Sequence, residues 1–164
     1  MYRLLAYLKF LLSSTNQHGV HSPFVYNFIT KSLYQKRNKK CTITEDVLFK
    51  SISYFKYKKI GLVPLNNSLK STLNSKFDYL EYGSTPYDII YVNSKKELFG
   101  NILKQTYHNN SALLFEGIHS SKERTQQWES IKELPEVTVS IDLFYCGLIF
   151  FRREQAKQHF KIRI

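Results

Sequence analysis

Two apolar runs, VTVSIDLF (137–144) and LIFFRR (148–153), stand only three residues apart, across Tyr145-Cys146-Gly147. That gap admits a hairpin and forbids a parallel crossover, which needs about a dozen residues. Upstream the habit is different. KKIGLVPL reads as a strand, NNSLKSTLNSK as a short helix or turn, and YDIIYVN, Tyr87 to Asn93, as a buried strand rich in Ile, Val and Tyr. Ser94 with Glu97 has the form of a capping box, and Leu98, Ile102, Leu103 and Tyr107 make a helical apolar face that the polar HNNS closes. ALLFEG, Ala112 to Gly117, is the next strand; Ser120 with Glu123 opens a helix in which Trp128 and Ile131 share a face before Pro135 ends it. Such alternation predicts a mostly parallel sheet covered by helices and finished by an antiparallel hairpin.

The 164 residues, 43% of them hydrophobic, suffice for one compact domain with a core. Residues 1–55 read as an N-terminal helical extension packed on a domain formed by 56–164. MYRLLAYLKFLL is too short to span a bilayer, Lys9 interrupts it, and no small-residue cleavage site follows. Leu4, Leu5, Leu8 and Leu11 or Leu12 recur at helical spacing, which predicts an amphipathic helix with these leucines against the domain; attachment to a membrane surface is the alternative. In STNQHGVHSPFVYNF, Gly19 permits a turn, Ser22 is placed to cap, and Pro23 to start a helix carrying Phe24, Phe28 and Leu33. His18 and His21 sit in the joint, with contribution to a pocket lid as the sharper alternative.

Lys and Arg number 24 against 13 Asp and Glu, for a net charge of +11. A polyanion such as nucleic acid, an acidic protein or an anionic membrane would be attracted. The clusters at Lys36-Arg37 with Lys39-Lys40, Lys56 with Lys58-Lys59, and Arg152-Arg153 read as solvated loop and helix-end charges. SYFKYKK interleaves aromatics with cations in a way that suits base stacking, but no RNP, KH or zinc-finger signature accompanies it. Cys41 and Cys146 have no metal-ligand spacing and imply no disulfide framework, which fits a reducing cytoplasm.

STNQHGVHSPFVYNFITKSLY, YDIIYVN and the stretch from LLFEGIHSS to FKIRI resemble a bacterial family of class I S-adenosylmethionine (SAM)-dependent methyltransferases of the O-methyltransferase-like group. The resemblance covers most of residues 1–35 and 87–164; residues 36–86 match poorly and look shortened. It implies a Rossmann-like methyltransferase sheet, truncated, with the antiparallel hairpin and the helical extension. In that family the first strand ends in an acid and a glycine-rich turn that lets SAM approach the backbone. Here the acidic position is Leu62 and the glycine positions are Pro64 and Ser68. The cofactor-binding positions by resemblance are Pro64, Asn66, Ser68, Glu81 and Asn93. Glu81 either belongs to a second strand that holds the ribose or lies in a connector, FDYLEYGSTP, with the second and third strands deleted; the connector is the favoured alignment. At least one strand-helix unit is missing either way.

The family's Asp-Gly-Asn-His and Asp-Asp-x-His read Asn93-Ser94-Lys95-Lys96 and Glu116-Gly117-Ile118-His119 here. Only Glu116, and His119 as a base, remain as catalytic candidates, with no metal site implied. Trp128 reads as core in preference to a substrate platform, and Asp142 as a partner for a buried donor. The expectation is a methyltransferase homologue degenerate in its SAM pocket and acting as a non-catalytic structural or interaction protein. The alternatives are an active SAM-dependent O- or N-methyltransferase with an atypical pocket, or a basic nucleic-acid-binding module. Sheet surface exposed by the shortened middle would also favour self-association.

Overall fold

The computed structural model describes residues 1–93 and 107–164. Helices α1 (Tyr2–Ser13), α2 (Pro23–Phe28, continued by a π-helical turn, Ile29–Leu33) and α3 (Ile43–Phe55) come first. Then follow β1 (Lys59–Val63), α4 (Asn67–Lys76), β2 (Glu81–Tyr82), β3 (Tyr87–Val92), β4 (Tyr107–Glu116), α5 (Lys122–Lys132), β5 (Val139–Asp142), β6 (Cys146–Phe150) and β7 (Gln158–Lys161). The strands form one seven-stranded mixed sheet in the order β2-β1-β3-β4-β6-β5-β7, an arrangement consistent with a Rossmann-like α/β fold. Among the described strands only β6 runs against the rest.

Alternation along the central strands divides the core between two faces. On one, Ile89, Leu114 and Leu148 pack with Phe28, Ile29, Leu48 and Ile52 of the N-terminal helices and with Leu69 and Leu73 of α4. On the other, Ile90, Val92, Leu113, Phe115 and Ile149 pack with Trp128 and Ile131 of α5. Trp128 is a core residue, fully buried. The local signals around Ser22 are realised: its hydroxyl accepts the Val25 N–H at 3.4 Å and Pro23 is the first residue of α2. Of the SYFKYKK aromatics Tyr57 is buried, and Tyr54 and Phe55 are half-buried against the core, Phe55 packing on Phe28 with centroids 4.8 Å apart.

Several expectations are corrected. In α1 the buried residue is Phe10, tilted against Phe144 at 5.5 Å between centroids, with Tyr7 edge-on to Phe144 at 4.7 Å, whereas Leu4, Leu5, Leu8 and Leu12 face solvent. Periodicity marked an apolar stripe, but the larger aromatic surface won the place on the domain. Tyr107 does not belong to a helix closed by HNNS: it begins β4 and stacks on Phe151 at 3.9 Å. Tyr107 pairs with Tyr87 and Ala112 with Ile89, and HNNS bulges out between them, held by the Ser111 hydroxyl, which accepts the His108 N–H at 2.8 Å and donates to the Tyr87 carbonyl at 2.6 Å. Ser94, Glu97, Leu98, Ile102 and Leu103 lie outside the described residues. The cap of α5 is Ser121, one residue later than expected, its hydroxyl accepting from Arg124 N–H. The hairpin forms with its turn at 143–145, two residues early, around Phe144 at φ +65°. FDYLEYGS is no mere connector: Glu81 and Tyr82 pair in parallel with Lys59 and Ile60 of β1. The edge strand β7 had no counterpart in the reading of the sequence.

At the amino end of the sheet, the Asp88 carboxylate accepts from the Lys58 and Lys59 N–H groups at 2.7 and 2.9 Å and pairs with His108 Nε2 at 2.8 Å. It thereby ties β1, β3 and β4 together. Burial alone would raise its pKa, but the Lys59 and Lys58 N–H groups and the His108 ring outweigh burial and hold it below the ordinary value. A depressed folded-state pKa adds stability that is complete above the unfolded value of about 3.9 and disappears as pH falls through the folded one. Urea denaturation over a pH series is expected to show this loss below about pH 4, and Asp88→Asn to flatten the curve there while lowering stability at neutral pH.

Candidate functional site

In an open α/β sheet, ligands bind outside the carboxyl ends of the strands where strand order reverses. That place is the end of β1 and β3: the chain leaves β1 through α4 for β2 on one side, then returns as β3 on the other. The two strands stay paired to their last residues, Val63 opposite Val92, and the Asn93 N–H donates to the Val63 carbonyl at 2.8 Å. Pro64, which has no N–H, follows. Asn66 is spent as the cap of α4, its Oδ1 accepting the Leu69 N–H at 3.0 Å, and Ser68 lies exposed in the first turn of that helix. Leu62 is half-buried against the core.

Glu81 sits at the other end of the sheet. It is opposite Lys59, the first residue of β1. Four residues of extended chain, about 13 Å, separate that level from the carboxyl edge.

A cavity of about 340 Å³ does open at the carboxyl edge, beside β3 and β4. Asn93 and Glu116 line it together with Gly117, Tyr145, Thr42 and Thr44 at the start of α3, Arg3 of α1 and Arg124 of α5. The Glu116 carboxylate accepts a short hydrogen bond from the Tyr91 hydroxyl, and Arg124 Nη2 donates to the Glu116 carbonyl at 2.8 Å. Burial first, and then the Glu116 carboxylate, push the Tyr91 phenol well above its usual range, so it remains the donor. Burial lowers the pKa of Arg124 while Glu116 opposes that shift. Arg3, Tyr91 and Arg124 were not legible as site residues, because three distant segments deliver them.

Glu116 and His119 do not converge. Glu116 has the parity of Leu114 and faces the α2-α3 side, while Asp142, alternating with Ile141, faces the α5 side and takes His119 with it. His119 lines a separate crevice of about 300 Å³ beneath α1. Its Nε2–H donates to Asp142 Oδ2 at 2.8 Å, its Nδ1 is 3.1 Å from the Thr125 hydroxyl, and its ring stacks on Phe144 at 5.3 Å. With both nitrogens engaged, this histidine joins the end of β5 to the start of α5. Asp142 is the partner of two buried donors, His119 and the Phe144 N–H at 2.8 Å.

Among the described residues, no group of three or more His, Cys, Asp and Glu side chains is gathered to hold a metal ion. His18 and His21 are exposed, away from both cavities. Asp142→Ala leaves two buried donors without an acceptor and is expected to lower the unfolding free energy by about 2–5 kcal/mol in urea denaturation. No protein-family model matches this chain, and no curated protein or solved structure is significantly similar to it.

Proposed function

We propose that the chain is a shortened class I SAM-dependent methyltransferase homologue whose cofactor cleft no longer serves, and that it acts as a non-catalytic structural or interaction protein. The observation that carries this reading is the two-residue β2, set level with the start of β1. No side chain of that strand reaches the carboxyl edge where an acid would grip a ribose. The turn after β1 agrees with it, since Pro64 offers no N–H and the Val63 carbonyl is already taken. Each lost hydrogen bond to a charged ligand is worth roughly 1.5–3 kcal/mol, tenfold or more in affinity. Electrostatics points the same way: two guanidinium groups and one carboxylate line the cavity at the carboxyl edge, a balance that opposes a sulfonium or a divalent cation. The residues do not fit the cofactor. Calorimetric titration with SAM and S-adenosylhomocysteine up to millimolar concentration is expected to show no saturable heat and no thermal stabilisation. Saturable micromolar binding would return the chain to the working methyltransferases.

A second reading, binding of a nucleic-acid strand, is favoured by a groove of about 550 Å³ between the π-helical turn, α3 and α4. Lys31, Lys36 and Lys76 line it with Tyr54 and Phe77, the combination of phosphate-seeking cations and aromatic surface that single strands use, while Lys50 is engaged by Asp46 and the Leu33 and Gln35 carbonyls. Asp46 is its one carboxylate and is paired with Lys50 at 2.8 Å. Fluorescence anisotropy with a labelled single-stranded RNA is expected to show affinity that falls steeply with salt, and a Lys31→Glu, Lys36→Glu, Lys76→Glu variant to bind at least about tenfold more weakly. Equal affinity of that variant would remove the groove from consideration.

A further inference from the structure

The helix α1 presents its leucines outward. At 100° per residue, Leu4, Leu5, Leu8 and Leu12 fall within an arc of about 100°, and they are 63, 52, 49 and 90% exposed. Solvent-facing apolar residues scattered singly need no explanation, but four on one ridge of one helix mark a contact surface. The opposite face of the helix is already committed to the domain through Tyr7 and Phe10.

We propose that this ridge docks on an anionic lipid surface, with α1 lying in the plane of the interface and the α/β domain above it. Charge selects that occupant. The helix carries no acidic residue, and of its two cations Lys9 lies beside the leucines while Arg3 is turned to the carboxyl-edge cavity. Lys9 flanks the leucines, where its stem lies along apolar surface while the ammonium reaches a headgroup. Lys161, 3.4 Å from Ser13 Oγ, adds a second ammonium at the end of the helix. Glu129 is the carboxylate in the neighbouring crevice and is ion-paired with Lys132. The chain as a whole carries +11. Twelve helical residues rise about 18 Å, too little to cross a bilayer and enough to lie on one.

A second copy of the chain is the weaker occupant. Two such ridges would set Lys9 and a large net positive charge against their like, and four leucines fall far short of the roughly 20–30 residues a side of a stable interface. The inference goes beyond the loss of cofactor binding and is independent of it, since an outward leucine ridge has no part in the cleft.

Vesicle sedimentation of the full chain tests it. Binding is expected to vesicles of equal phosphatidylglycerol and phosphatidylcholine, with little to phosphatidylcholine alone. A Leu4→Ser, Leu8→Ser, Leu12→Ser variant, which keeps every charge and should keep the circular dichroism spectrum and melting temperature because these side chains are exposed, is expected to bind at least about tenfold more weakly. Leu8→Trp should give blue-shifted fluorescence on the mixed vesicles. Equal binding by the triple variant would show adsorption by charge alone and overturn the proposal. So would absence of binding to the mixed vesicles, an unshifted Leu8→Trp spectrum, or a dimer in size-exclusion chromatography that the triple variant dissociates without any vesicle binding.

Discussion

The contact between Gly147 and Trp128 governs the C-terminal half of the structure. A Cβ on Gly147 would come within 2.5 Å of the indole ring, so only glycine lets α5 settle this close to the antiparallel strand. Gly147 lies opposite Phe115 on one side and Asp142 on the other. The helix and the hairpin therefore fix one another. From that seat follow the burial of Ile131 and Phe115 around the indole and the meeting of Asp142 with His119, which precedes the same helix. Substituting any side chain there would push α5 outward and break the register that brings these groups together.

The polar groups at the carboxyl edge of the sheet are largely spent on one another. The strands β3, β4 and β6 are bulky and mostly buried on both faces, and the Tyr91 phenol and Glu116 carboxylate near the ends of β3 and β4 meet Arg124 of α5. Those groups have become partners of one another: Tyr91 holds Glu116, Arg124 holds the carbonyl of the same residue, and His119 closes on Asp142 and Thr125. Polar groups that satisfy each other stabilise a fold and leave little unsatisfied chemistry for a substrate. The same set of hydrogen bonds joins β3, β4, β5 and α5 at this edge.

How much of this could be read beforehand depended on whether the signal was local. The hairpin was legible because a three-residue gap leaves no other connection, and the start of α2 because Ser22 and Pro23 state it within two residues. The strand YDIIYVN and the core role of Trp128 followed from composition and spacing. The outward turn of α1 was not legible: periodicity identifies a stripe but not what the stripe faces, and Phe144, which claims Phe10 and Tyr7, is more than a hundred residues away. Nor was the level of Glu81 in the sheet, since the register of a two-residue strand is written in no local pattern. Tyr107 was misread because its pairing with Tyr87 is cut off from the rest of β4 by the HNNS bulge, which no local pattern distinguishes from the end of a helix.

The stunted β2 has a bearing on how the molecule keeps its sheet to itself. It covers only Lys59 and Ile60, so the outer flank of β1 from Gly61 to Val63 has no strand alongside it among the described residues. A long bare flank of this kind is an invitation to foreign strands. Here it is three residues long and stops at Pro64, whose nitrogen cannot extend a ladder. A stub of two residues and a proline between them leave an opening too small to recruit a neighbour.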